Sequence, residues 1–244
     1  MGKFQKFGFN QELVDMNKII ATEDGSHTLQ SGQFDVTYHS IHGAIQETET
    51  VFIQAALAYQ SQFLNDIRIL EIGFGTGLNA LMTCLEADER QLNIEYVGVE
   101  AYPIKSAMVT QLNYPKLLNA LEYQAHFEQM HQAVNQTVAV TPNFNFQLRV
   151  DLFEALDYEA AFDIIYYDAF APNAQPELWE EAQLQKMYKA LKAGGVLTTY
   201  CAKGAFKRLL KSIGFELHSL PGPKGKREMT RAVKPPLREV PLAD

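Results

Sequence analysis

Arg68-Ile69-Leu70-Glu71-Ile72-Gly73-Phe74-Gly75-Thr76-Gly77-Leu78-Asn79 joins a short apolar run to three alternating glycines and then to a helical pattern. This reads as the turn between a parallel strand and its following helix, where residues without Cβ reach positive φ cheaply and let the backbone approach a ligand. The next apolar run, from Ile94, ends in Glu100, and a carboxylate there suits the two hydroxyls of a ribose. A dinucleotide fingerprint would read G-x-G-x-x-G, with its pyrophosphate on the helix N-terminus. Here the spacing is G-x-G-x-G, and Glu71 stands two residues ahead of it, an acid that repels a pyrophosphate and suits a cation. S-adenosylmethionine, a ribose at one end and a sulfonium at the other, therefore fits better than NAD. Its contacts would come from Glu71, Gly73, Phe74, Gly75, Thr76, Gly77, Asn79 and Glu100. A strand-to-helix turn without any ligand is the bland alternative.

Outward from this stretch, strands and helices alternate in the manner that builds a parallel sheet covered on both faces. The apolar runs predict strands at Ile67–Ile72, Ile94–Glu100, Phe144–Val150, Asp163–Tyr167 and Val196–Cys201, with Phe215–Leu220 and Glu228–Val233 as a closing antiparallel pair. Helices are predicted at Leu78–Ala87, from near Pro103 in a mixed region to about Gln136, from about Pro176 to Leu191, and at Ala205–Ile213. The fold class is thus α/β, Rossmann-like, with a mostly parallel seven-stranded sheet. Upstream, a turn at Asp24-Gly25-Ser26, a β-like stretch Gln33–Ser40 and helical Glu47–Ser61 read as a small N-terminal extension, residues 1–60, packed on a core of residues 61–244.

Four acids, Glu71, Glu100, Asp151 and Asp168, fall at or just past the carboxyl ends of successive strands, the edge where open α/β sheets bind ligands. Capping of the following helix explains one such acid, less easily four. In this arrangement Glu100 holds the ribose, Asp151 and Leu152 meet the adenine, and Asp168 faces the reacting end. Pro172 keeps the loop after Asp168 out of helix.

At 244 residues, 47% hydrophobic and 20% charged, the chain has the size and composition of one globular α/β domain. No apolar run approaches the roughly 18 residues of a membrane span, and the N-terminus lacks a secretory core, so a cytoplasmic location is expected. Cys84 and Cys201 lie in apolar elements and read as small core residues. Of six histidines only His39 and His42 are close together; no acid or thiol cluster completes a site, and no metal is expected. Net charge is -8, yet from Cys201 onward ten Lys or Arg face four acids, which leaves the tail at +6 and the remainder at -14. A local basic end can neutralise phosphates despite a negative total; solvated surface lysines are the alternative.

Taken with Asp24-Gly25-Ser26, Gln46-Glu47-Thr48, Val51-Phe52, Glu100-Ala101-Tyr102-Pro103, Asp168-Ala169-Phe170-Ala171-Pro172, Pro176-Glu177-Leu178-Trp179 and Lys226-Arg227-Glu228-Met229, the glycine loop resembles one family. This is the bacterial methyltransferases that finish the 5-methylaminomethyl-2-thiouridine modification at the tRNA wobble position, found alone or as the N-terminal half of a bifunctional enzyme. The resemblance spans nearly the whole chain except for about 105–143. It implies a class I S-adenosylmethionine-dependent methyltransferase fold, the cofactor at Gly73, Gly75, Glu100 and Asp151, and Asp168 beside the amine to be methylated. It departs at Ala169, where the family often has glycine, and in the variant lead Gly222-Pro223-Lys224-Gly225. Nothing resembling the flavin-dependent oxidase of bifunctional members follows Asp244, so methyl transfer without flavin chemistry is expected.

The residues expected at the tRNA substrate are Asp24, Ser26, Glu47 and Phe170, with Lys203, Lys207, Lys226 and Arg227 on anticodon-stem phosphates. Phe170, Tyr102 and Trp179 are candidates for stacking on a base, though core packing suits the last two as well. With an ordinary value near 4 Asp168 would be a poor base unless buried, and the orienting role is favoured over true base catalysis. The rivals are a methyltransferase for a small-molecule or protein amine, a nicotinamide-dependent oxidoreductase, and a noncatalytic RNA-binding module.

Overall fold

The structure, a computed structural model, describes residues 16–236; the amino-terminal pentapeptide and the charges Arg238, Glu239 and Asp244 lie outside the described residues. The described chain starts with a hairpin, β1 (Lys18–Ala21) against β2 (His27–Gln30), folded about the Asp24-Gly25-Ser26 turn. The expected β-like stretch at 33–40 is instead irregular, touching the hairpin through one bridge, Thr37 to Gln30. A helix follows, Ala44–Thr48, widening into a π-helical stretch, Glu49–Leu57, and ending at Ala58–Gln60.

The main sheet contains β3 (Asp66–Ile72), β4 (Asn93–Glu100), β5 (Thr137–Thr141), β6 (Phe144–Val150), β7 (Phe162–Tyr167), β8 (Leu191–Thr199), β9 (Glu216–Pro221) and β10 (Glu228–Val233) in the order β5-β6-β4-β3-β7-β8-β10-β9. The five strands from β6 to β8 are parallel. All seven predicted strands are present. An eighth, β5, adds antiparallel to the outer edge of β6. The long helical region after Pro103 is broken into Ser106–Val109, Tyr114–Leu117, a 3-10 turn and Gln124–Gln132. The helix predicted from Pro176 is a 3-10 turn, Pro176–Trp179, and then Glu181–Ala190, because Glu180 is extended. Strand β8 begins at Leu191 and carries Gly194-Gly195 as an irregularity in its pairing with β7.

Side-chain alternation sorts β3 onto two faces. Ile67 and Ile69 join a core under the helix 44–60, Leu78–Arg90 and Gln124–Gln132, whereas Leu70 and Ile72 join a second core under Glu181–Ala190 and Gly204–Ile213. The same parity sends Glu71, and past the strand ends Glu100 and Asp168, toward the first face. The chain builds outward from β3 to β4 and β6 on one side, then crosses from β6 to β7 on the other side of β3. That is the topological switch point, where the carboxyl ends of the strands open a crevice. Cys84 and Cys201 are buried free thiols. Among the described residues no helix is long and apolar enough to cross a membrane.

Candidate active site

The glycine loop is bent by hydrogen bonds that its sequence makes possible. Gly73 and Phe74 both donate to the Val99 carbonyl at 3.0 Å, and Gly77 donates to Phe74 at 2.9 Å. Gly73 and Gly77 stand at φ +90° and +77°, and a Cβ on Gly73 would come within 2.6 Å of the Asp168 carbonyl oxygen. Only glycine lets β3 and the Asp168 loop approach so closely. Phe74 is an anchor, packed against His131, Phe146 and the bare face of Gly98.

A cavity of about 660 Å³, its open mouth included, lies over this loop, lined by Gly73, Phe74, Gly75, Thr76, Glu100, Tyr102, Asp168 and Phe170 among others. The Glu100 carboxylate is fixed at both oxygens, by Gly75 N–H and Tyr102 N–H, each at 2.9 Å. Its remaining lone pairs are left for donors such as ribose hydroxyls. Burial pushes its pKa up against these hydrogen bonds. A glycine turn and a doubly held carboxylate side by side in one crevice fit S-adenosylmethionine.

Asp168 follows β7, its N–H donating to Ile72 O at 3.0 Å. Asn79 lies between two acids, donating from Nδ2 to Asp168 Oδ2 at 2.9 Å and to Glu71 Oε1 at 2.8 Å, while its own Oδ1 accepts from Thr48 at 2.8 Å. Burial, then the nearby Glu47 charge, push the Asp168 carboxyl up to about 7, against the Asn79 hydrogen bond and Lys226. Burial is the condition under which the sequence reading allows Asp168 to serve as a base. At about 7 the group is matched to proton transfer near neutrality.

Glu71 is wholly buried and absent from the cavity lining, with Tyr96 OH donating to its Oε2 at 2.8 Å. Burial pushes its pKa well above the ordinary range, so the negative potential at the cavity rests with Glu100 and Asp168. Gly77 and Asn79 stand behind the wall as supports. Asp151 and Leu152 are beside the cavity rather than in its lining. Arg149, at 2.8 Å, holds the Asp151 carboxyl below the usual range, while Leu152 is 53% exposed.

One wall was not foreseen. Asn17, Ser31, Gln33, Phe34, Tyr38 and His39 line the cavity from the N-terminal side. Tyr38 and Phe34 meet the Phe170 ring at 4.9 and 5.1 Å, which makes Phe170 part of an aromatic corner. Trp179 is buried, as its core alternative suggested, and donates to Phe170 O at 2.8 Å. Tyr200 donates to Ala169 O at 2.9 Å. The acceptor loop is thus held from below at two successive carbonyls. His39 is a buried support, beside Thr28 Oγ1 at 3.1 Å, and burial lowers its pKa to about 4. His42 instead pairs with Glu23. Among the described residues no group of three His, Cys, Asp or Glu is placed to hold a metal ion.

The expected substrate residues divide. Asp24 and Ser26 cap the helix at 44: Asp24 Oδ2 accepts from Gln46 N–H at 3.2 Å and Ser26 Oγ from Ala44 N–H at 3.1 Å. They satisfy open backbone donors outside the cavity lining. Lys207 is bound to Glu228 and Ser219, and Lys203 to Asn173 of the acceptor loop. Lys226 does not point to open solvent as a phosphate contact would; it pairs with Glu47 at 2.6 Å. Arg227 is exposed.

A family model described as S-adenosyl-L-methionine-dependent methyltransferase matches residues 116–235. The "tRNA 5-methylaminomethyl-2-thiouridine biosynthesis bifunctional protein MnmC" of Marinomonas sp. (strain MWYL1) is 30% identical, over 85% of this chain and 32% of its own. The protein of that name from Aromatoleum aromaticum is 31% identical, over 89% of this chain and 35% of its own. The chain therefore spans about a third of the length of these curated relatives. The crystal structure of MnmC2 from Aquifex aeolicus shares the fold, with a TM-score of 0.72 at 22% identity over 91% of this chain and 73% of that one. Residues 116–235 thus match the S-adenosyl-L-methionine-dependent methyltransferase family, and the glycine turn and doubly held carboxylate suit that cofactor in a chain similar to these relatives along most of its length.

Proposed function

We propose that the chain transfers a methyl group to the primary amine of 5-aminomethyl-2-thiouridine at the wobble position of tRNA, in the cytoplasm, giving the 5-methylaminomethyl product. The observation that carries this reading is Asp168, half-buried on the cavity wall, aligned by Asn79 and titrating near neutrality. The printed names of the relatives supply the substrate.

In this reading Gly73, Gly75 and Glu100 hold the cofactor's ribose and amino-acid parts, Asp151 and Leu152 border its adenine, and Phe170 with Tyr38 receives the modified base. Bound cofactor supplies a methyl group on a sulfonium. The amine attacks with its lone pair, forming the N–C bond as the S–C bond breaks and that bond's electron pair stays on sulfur. A primary alkylamine is protonated at neutral pH and must lose a proton to attack. Asp168 is placed to take that proton and to hold the nitrogen in line, so alignment and proton removal share one residue. Lys203, which donates to Asn173 of the acceptor loop, and exposed Arg227 are the cations this reading assigns to anticodon-stem phosphates.

Nucleoside analysis of tRNA carrying the aminomethyl group, after incubation with purified protein and S-adenosylmethionine, tests the reading. It requires a gain of one methylene on the wobble uridine. An unmodified uridine alongside demonstrable S-adenosylhomocysteine binding would refute it.

A further inference from the structure

Lys226 ends in a primary alkylammonium, and its surroundings form a seat for one. Its Nζ lies 2.6 Å from Glu47 Oε1 and 3.8 Å from the centre of the Tyr200 ring. A carboxylate combined with an aromatic face is a favourable setting for such a cation. The Glu47 side chain is 7% exposed and that of Lys226 34%, so the acid forms the floor and the lysine comes in from the open side. Ser40 N–H fixes the other Glu47 oxygen at 2.7 Å.

The seat is tied to the acceptor loop on two sides. Tyr200 OH holds the carbonyl of Ala169, next to Asp168. From the other side Thr48, next to Glu47, holds Asn79, which holds Asp168. A buried carboxylate without a cation is costly, so the seat needs an occupant whether or not substrate is present. Lys226 follows Gly225, at φ +85° in the loop between β9 and β10, so it reaches the seat from a surface connection rather than from a strand.

We propose that Glu47, with the Tyr200 ring, is the second carboxylate that holds the acceptor's primary alkylammonium together with Asp168, that Lys226 fills this Glu47–Tyr200 seat in the free protein, and that the incoming amine displaces Lys226. This deepens the proposed function and rests on it for the identity of the amine. Displaced, Lys226 is released toward the tRNA backbone, the place its sequence context suggested.

Two measurements decide it. In the wild-type protein with S-adenosylhomocysteine, a brief pulse of acetic anhydride read by mass spectrometry should label Lys226 on the order of tenfold more when 5-aminomethyluridine is added than when uridine is, since labelling follows the vacated fraction. In Lys226→Met, methylammonium chloride should raise the thermal midpoint above that in equal sodium chloride, with no such rise in the wild type or in the Glu47→Gln, Lys226→Met double variant. Unchanged or reduced labelling of Lys226 overturns the proposal, as does a Lys226→Met protein indifferent to methylammonium; should that variant not fold, the wild-type labelling decides alone. Methylation of tRNA with Lys226 labelling unmoved removes the seat only. Increased labelling without methylation of tRNA keeps the seat and removes the tRNA reading.

Discussion

Asp168 titrates at about 7 because burial and the Glu47 charge outweigh the Asn79 hydrogen bond and Lys226, and the consequences run in a fixed direction. In the free enzyme kcat/KM should rise with pH through about 7 as the carboxylate forms. A bound cation favours the carboxylate, so the limb in kcat should lie lower. Asp168→Asn should lower turnover by about 10²-fold or more with S-adenosylhomocysteine affinity retained, checked by single-turnover kinetics and calorimetry. Stability carries the same signature. The folded value lies above the unfolded one near 4, so the native state binds more protons between about 4 and 7 and loses stability as pH rises through that window. Asparagine is free of this loss. Denaturant melts of Asp168→Asn should show a gain of about 1–3 kcal/mol at pH 8 that shrinks toward pH 4. Asn79→Ala, which removes the donor from Asp168, should move the kcat/KM limb upward.

The strand-to-helix turn and the acceptor loop are in contact through their backbones. Gly73→Ala places a methyl 2.6 Å from the Asp168 carbonyl at φ +90°. We expect a loss of about 1–3 kcal/mol and, since a shift of about 1 Å near the chemistry costs about 10²-fold, a comparable fall in kcat/KM. Gly194→Ala is the control: φ is +79° with nothing within 4 Å, so only stability should fall. At this scale the sequence was readable where burial dictates composition. Central β7 is buried at every position, β6 alternates buried and more open ones, and the predicted bounds Phe144–Val150 and Glu228–Val233 coincide with β6 and β10. Side-chain parity also placed Glu71, Glu100 and Asp168 on one face, a signal that could have shown Glu71 turning inward beside Tyr96. Thr137–Thr141 was hidden because an edge strand abuts a helical run. The stretch Gln33–Ser40 is irregular rather than β-like since distant contacts fix it and its lead: Asn17 Nδ2 donates to Tyr38, and Asn17 Oδ1 accepts from Gly32. Lysine partners were equally illegible, Glu47 being 179 positions from Lys226.

Across the whole molecule the net charge is -8 while the stretch from Cys201 onward carries +6, and the ion pairs decide which of its basic residues remain for phosphates. Lys207 is neutralised by Glu228, whereas Lys203 and Arg227 are exposed. Binding of tRNA should weaken steeply with salt, and Lys203→Ala and Arg227→Ala should each reduce the slope of log K against log salt by about one. Lys207→Ala should leave it nearly unchanged, as filter binding at several salt concentrations can show. All of these expectations depend on the amine and the methyl donor meeting at Asp168. The direct measurement is a crystal structure with S-adenosylhomocysteine and an anticodon stem-loop bearing 5-aminomethyl-2-thiouridine. The account predicts the aminomethyl nitrogen within hydrogen-bonding distance of the Asp168 carboxylate, on the sulfur side of the cofactor, with the base against Phe170. An amine seated away from Asp168, or a cofactor outside the crevice between Gly75 and Glu100, would contradict it.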